Sequence, residues 1–140
     1  TTLDRDNGLV RYDLEEACRI VREPCICGET TSRAFWGGRF AHLLSIGGRR
    51  FQVAEVERAL RTVPDVTSPT LEYVVVRPAG DEGPLRVRVE RGQGASDLAA
   101  ASARCRAAVE QRLGVRAEVE LVERETLPRS SYKAVRLVER

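Results

Sequence analysis

Val53, Val56, Ala59, Leu60 and Val63 recur at helical spacing, and Pro64 stops the helix they predict. Residues 71–77 form a run with a fully apolar centre, which predicts a buried strand. Residues 85–90 alternate apolar and charged, so the next strand has one wet face, and the Pro- and Gly-rich stretch 78–84 reads as a hairpin loop. Ser96 is placed to cap a second helix whose stripe is Leu98, Ala101, Cys105, Val109 and Leu113, ended by Gly114. Residues 118–121 alternate again. With a strand near 43–51, the order is β-α-β-β-α-β, which predicts an α+β, ferredoxin-like unit of two helices on one face of an antiparallel sheet.

Before this unit the pattern is irregular. Residues 9–12 and 18–21 read as short strands, and Glu23-Pro24-Cys25-Ile26-Cys27-Gly28 as a turn. Gly37-Gly38 and Gly47-Gly48 bracket the short apolar segment 43–46, and this glycine-rich stretch is the expected boundary. The expected organisation is a β-rich arm over 1–37 and a compact domain over 38–140.

Composition narrows the class. A chain of 140 residues with 42% hydrophobic and 31% charged residues is globular, and this length hides roughly two-thirds of its unfolded surface without a staple. The longest apolar runs, 73–76 and 98–101, are too short for a bilayer, and no secretory leader opens the chain. A cytoplasmic location without membrane association is therefore expected. A net charge of +2 does not mark a nucleic-acid surface. The chain holds no methionine, so it is expected to be cut from a longer protein. Of its 23 basic residues only Lys133 is lysine. A slot shaped for a compact ammonium rejects the planar guanidinium fork, which makes Lys133 a residue of interest.

The chemical candidates are few. Cys25 and Cys27, with Cys18 or His42, could suggest a metal site. Structural zinc pairs are spaced by two to four residues, and here one residue separates the pair, so we read thiols and no metal. A Walker loop needs Gly-Lys, which is absent, and one histidine supplies no nucleophile–base set. Gly37-Gly38-Arg39 and Gly47-Gly48-Arg49-Arg50 read as tight turns that could present N–H groups and guanidinium forks to a phosphate or carboxylate. The residues alone point to an anionic ligand.

Four segments carry a resemblance. They are Arg11-Tyr12-Asp13-Leu14-Glu15-Glu16, the Pro-Cys-x-Cys-Gly turn, the run from Gly38-Arg39-Phe40-Ala41-His42 through Gly47-Gly48, and Leu127-Pro128-Arg129-Ser130-Ser131-Tyr132-Lys133. In this order, from about residue 9 to the end, the chain resembles the C-terminal part of the adenylate-forming ligases, phenylacetate–CoA ligase branch. The resemblance implies a lid domain over 38–140, an arm remaining from the large N-terminal AMP-binding domain, and that domain as the missing partner. It implies activation of a small, aromatic carboxylic acid by ATP and Mg²⁺ to an acyl-adenylate, then transfer to coenzyme A with release of AMP. None of these ligands is expected to be held tightly by this chain alone. The implied roles are Lys133 for adenylation, Glu16 and Arg39 for the nucleotide, Arg39, Ala41 and His42 for the hinge, and Gly47 and Gly48 for the coenzyme A tunnel. The family's segment reads Arg-Tyr-Arg-Thr-Gly-Asp, so Glu16, one methylene longer, stands at its ribose-binding acid. Ala41 stands where the hinge acid is usual, with His42 beside it. Those two residues favour an alternative, a non-catalytic βαββαβ binding module on the same scaffold, while Lys133 favours the enzyme.

Overall fold

The computed structural model describes residues 13–129 and 134–139. The chain divides into two compact units at His42/Leu43. The strand expected over 9–12 lies outside the described residues.

In the first unit, β1 (Glu16–Val21) and β2 (Arg33–Arg39) form an antiparallel hairpin registered from Glu16↔Arg39 to Val21↔Arg33. The register shifts at Ala17/Cys18, leaving Gly37 as the extra residue of a bulge. A side chain at Gly37 would press on Ala17 Cβ and O at 3.1 Å, so glycine fits there. Gly37-Gly38 therefore lies inside a strand, not in the tight turn its composition suggests. The Cys25–Cys27 turn is closed by Cys25 N–H to Glu29 O and Gly28 N–H to Cys25 O, both 2.9 Å. A 3₁₀ turn, Phe40–His42, ends the unit.

The second unit opens with a hairpin, β3 (Leu43–Ile46) and β4 (Arg49–Gln52). Gly47 and Gly48 connect them, both at positive φ (56° and 71°), as the two-residue turn of a twisted hairpin requires. Helix α1 (Val53–Leu60) follows directly, then β5 (Tyr73–Val76), β6 (Leu85–Glu90), α2 (Leu98–Leu113), β7 (Ala117–Val122) and β8 (Leu137–Val138). The α+β class and the chain order β4-α1-β5-β6-α2-β7 agree with the periodicity. Two details differ. The four-stranded sheet, ordered β7-β6-β5-β8, is mixed: β5 and β6 are antiparallel, while β6–β7 and β5–β8 are parallel. The strand expected near 43–51 is a separate hairpin whose Leu44, Ile46 and Phe51 join the helix-side core.

That core gathers Val56, Ala59 and Leu60 of α1, Ala101, Cys105 and Val109 of α2, and Tyr73, Val75, Val87 and Val89 of the sheet. Arg112 of α2 donates to Glu55 of α1 at 2.9 Å, tying the helices at the surface. Val74 and Val122 point to the other face, where Leu127 and Val138 cover them. Burial on both faces explains the unbroken apolar centre of β5. The cap of α2 is Asp97, one residue beyond Ser96: its carboxylate accepts from Ala100 N–H at 3.0 Å. Gly114 ends the helix at φ +67°. Leu98 is 42% exposed, so the buried stripe begins at Ala101.

Candidate functional site

The first unit brings Glu16 and Arg39 together, as opposite residues at the open end of its hairpin. Arg39 Nε lies 3.5 Å from Glu16 Oε1, with the Glu16 side chain 17% exposed and the Arg39 side chain 53% exposed. The approach to this pair is shaped by Glu15, which is non-glycine at φ +53°. Its N–H donates to Asp13 Oδ1 at 2.8 Å, and its carbonyl accepts from Phe40 N–H at 2.9 Å. A cavity of about 370 Å³ results, lined by Asp13, Leu14, Glu15, Glu16, Arg39 and Ala41. The pair sets a carboxylate that can accept from hydroxyl groups beside a guanidinium that can donate to an anion. His42 is exposed in the turn that follows.

In the second unit the Gly47–Gly48 turn is already engaged. Gly47 N–H donates to Asp81 O at 2.7 Å, Gly48 N–H to Asp81 Oδ2 at 3.0 Å, and Ser45 Oγ–H to Asp81 Oδ1 at 2.8 Å. The donors that an anion would need are thus committed to Asp81, Gly48 N–H and Ser45 Oγ–H to its carboxylate and Gly47 N–H to its main-chain carbonyl. A second anion 4 Å from that carboxylate would be opposed by about 4 kcal/mol in a partly screened site. The phosphate-cradle reading of this turn is corrected on that ground. A cavity of about 470 Å³ adjoins the turn, lined among others by Ile46, Gly47, Asp81, Glu82, Gly114 and Arg116.

A further ionic cluster in the second unit is not visible in the sequence pattern. Glu90 stands on the face of β6 that alternation predicts to be wet, yet it is 1% exposed, because residues 127–129 cover that end of the sheet. Its carboxylate accepts from Leu127 N–H at 3.1 Å and from Arg129 Nη2 at 2.7 Å. Glu72 receives Arg129 Nη1 at 3.2 Å and Arg136 Nη1 at 3.0 Å. The Arg136 guanidinium also lies 4.6 Å from the centre of the Tyr73 ring, a cation–π distance. Burial, with Glu57 nearby, holds the Tyr73 phenol well above its ordinary range. Arg129 and Arg136 bracket Lys133 in sequence; Lys133 itself, like Arg11 and Tyr12, lies outside the described residues.

Among the described residues, no three His, Cys, Asp or Glu side chains converge as metal ligands. Cys27 is exposed, and a hydrogen bond with the Cys25 side chain, helped by the Glu29 backbone, lowers its thiol below the usual range. No helix of the described residues is long and apolar enough to cross a membrane.

Residues 53–140 match the family described as AMP-binding enzyme C-terminal domain. The chain belongs to this family. Solved structures similar to this AMP-binding C-terminal domain chain include acid–CoA ligases. A 2-hydroxyisobutyryl-CoA ligase in its postadenylation state, bound to R3-HIB-AMP, is 25% identical over 90% of this chain, with a TM-score of 0.72. The same ligase with 2-HIB-AMP and CoA in the thioesterification state is 26% identical over 89%, with a TM-score of 0.57. A domain of phenylacetate-coenzyme A ligase from Bacteroides vulgatus ATCC 8482 shares the fold at 19% identity and a TM-score of 0.54, over 70% of this chain and 93% of that one. The chain spans 28% of the first ligase structure's length and 27% of the second's. Comparison with curated proteins gives no match.

Proposed function

We propose that this AMP-binding C-terminal domain is the lid of an ATP-dependent acid–CoA ligase. The family match over residues 53–140 carries the reading, and the Glu16–Arg39 pair supports it. In the first half-reaction a carboxylate oxygen attacks the α-phosphorus of ATP. A P–O bond forms, pyrophosphate leaves, and acyl-adenylate results. In the second, the thiol sulfur of coenzyme A attacks the acyl carbonyl; the C–O bond to AMP breaks, AMP leaves, and the thiol proton is released.

The chain's contribution is positional and electrostatic. Glu16 accepts hydrogen bonds from the ribose hydroxyls, and Arg39 steadies that carboxylate or the nucleotide. Lys133 bridges the acid's carboxylate and the α-phosphate, relieving their like-charge repulsion. One such contact at 4 Å is worth about 4 kcal/mol in a partly screened site. Gly47 and Gly48 line the path of the pantetheine arm, whose neutral amides are compatible with the Asp81 carboxylate. In the intact enzyme Mg²⁺ would accompany ATP and offset the charge of its phosphates.

The arm over 1–37 belongs in this reading to a large N-terminal domain, with 38–140 as the lid. The exposed Ile20, Phe35 and Trp36 support a larger body around that arm. The acid is read as aromatic by likeness to the phenylacetate branch, and the site as cytoplasmic. Pyrophosphate exchange tests the reading. The 140-residue chain supplies one wall of the site and should show none, whereas the protein extended through an N-terminal AMP-binding domain should exchange with an aromatic acid. Exchange by the 140-residue chain, or none by the extended protein with any acid, would refute it.

A further inference from the structure

The Gly47–Gly48 turn draws three hydrogen bonds onto one distant residue. Ser45 Oγ, Gly47 N and Gly48 N all donate to Asp81, at 2.8, 2.7 and 3.0 Å, across 33 to 36 residues of sequence for the side-chain bonds. Two consecutive glycines have more accessible backbone conformations than any other pair, so a Gly-Gly turn does not hold its own shape. The hairpin register fixes its two ends. Asp81 fixes its apex, using both carboxylate oxygens and its main-chain carbonyl. Nothing obstructs a Cβ at either glycine within 4 Å. Their demand for glycine therefore comes from the positive φ values and not from crowding.

We infer that Asp81 is a positioning residue for thioester formation, resting on the reading that the Gly47–Gly48 turn lines the pantetheine path. The acid holds the turn in the one conformation that leaves the path open, while its charge keeps phosphate groups from settling on the same N–H donors. Adenylate formation makes no use of this turn. The effect of Asp81 therefore falls on the second half-reaction alone.

The chemistry of the clamp predicts its own rescue. Asparagine keeps an oxygen to accept from Gly48 N–H, and its amide can donate to Ser45 Oγ, which turns to accept. Alanine can do neither. In the full-length ligase, thioester formation from synthetic acyl-adenylate and coenzyme A should fall about 10–10²-fold in Asp81→Ala and return to within about threefold of wild type in Asp81→Asn. Adenylate formation from acid and ATP should be spared in both. In the 140-residue chain, Asp81→Ala should speed hydrogen exchange at the Gly47 and Gly48 amides. Gly48→Ala, strained at φ +71°, probes the underlying reading and should block the thioester step. If Gly48→Ala blocks that step and Asp81→Ala does not, the role of Asp81 is refuted while the tunnel reading stands. If neither variant affects the step, the tunnel reading fails and the inference with it. Equal loss of both half-reactions in Asp81→Ala would mean a purely structural role and would also refute it.

Discussion

Replacing Glu90 tests whether the C-terminal segment is held onto the sheet by a buried charge. The Glu90 carboxylate is 1% exposed and accepts two hydrogen bonds, from Leu127 N–H and Arg129 Nη2. Breaking a buried pair by removing one partner costs about 3–5 kcal/mol. Arg129 keeps Glu72 at 3.2 Å, and its side chain is 47% exposed, so its charge is not stranded. Glu90→Ala should therefore fall at the low end, about 3 kcal/mol. Glu90→Gln retains an acceptor for Leu127 N–H but turns an amide NH₂ toward the Arg129 donor, so it loses that charged hydrogen bond, about 1.5–3 kcal/mol. Urea unfolding followed at 222 nm reads this directly, since α1 and α2 both lie in the second unit with Glu90. The midpoint should drop with an unchanged slope. A double-mutant cycle with Arg129→Gln should return a coupling of roughly 1–2 kcal/mol. A loss below about 1 kcal/mol for Glu90→Ala, or additive effects in the cycle, would refute the buried clamp.

Two further outcomes follow from local geometry. Glu15 adopts φ +53° at the position where the resembling segment has glycine, so Glu15→Gly should stabilise the first unit by roughly 1 kcal/mol. Fluorescence of Trp36, the one tryptophan, reads that unit, and a destabilised variant would contradict the assignment. Burial pushes the Cys105 thiol from 9.0 up to about 11. The folded state thus holds this proton more tightly, and the linked stability is fully present below pH 9 and is lost as pH rises toward 11. Cys105→Ala should flatten that alkaline fall; an unchanged pH profile would count against it.

Much of the second unit is legible in the sequence because its helices and strands bury continuous periodic faces. Val53, Val56, Ala59 and Leu60 mark α1, and Leu85, Val87 and Val89 mark β6. What periodicity cannot carry is the identity of a covering partner. Glu90 obeys the alternation of β6 and is buried only because Leu127 and Arg129, 37 and 39 residues away, close over it. Asp81 sits in a loop whose composition signals a turn, and its role arises from a hairpin 33 residues upstream. Strand β2 is obscured by Gly37-Gly38, which serve a bulge instead of a turn. Pairing partners are likewise non-local, which is why β3 and β4 stand apart from the sheet while their apolar residues still enter its core. Glu16 and Arg39 are recognisable from their segments, and the antiparallel register brings them to 3.5 Å.

The central claim, that this domain serves an adenylating ligase, is tested most directly at Lys133. In the full-length protein, Lys133→Ala removes a cation needed while charge reorganises at phosphorus. Adenylate formation should fall by about 10²–10³. Lys133→Arg should also be poor, because a broad fork does not occupy an ammonium slot. Thioester formation from synthetic acyl-adenylate and coenzyme A should proceed at the wild-type rate in both variants. Folded variants that adenylate normally, or that lose both half-reactions equally, would contradict the assigned role and favour a non-catalytic binding module on this scaffold.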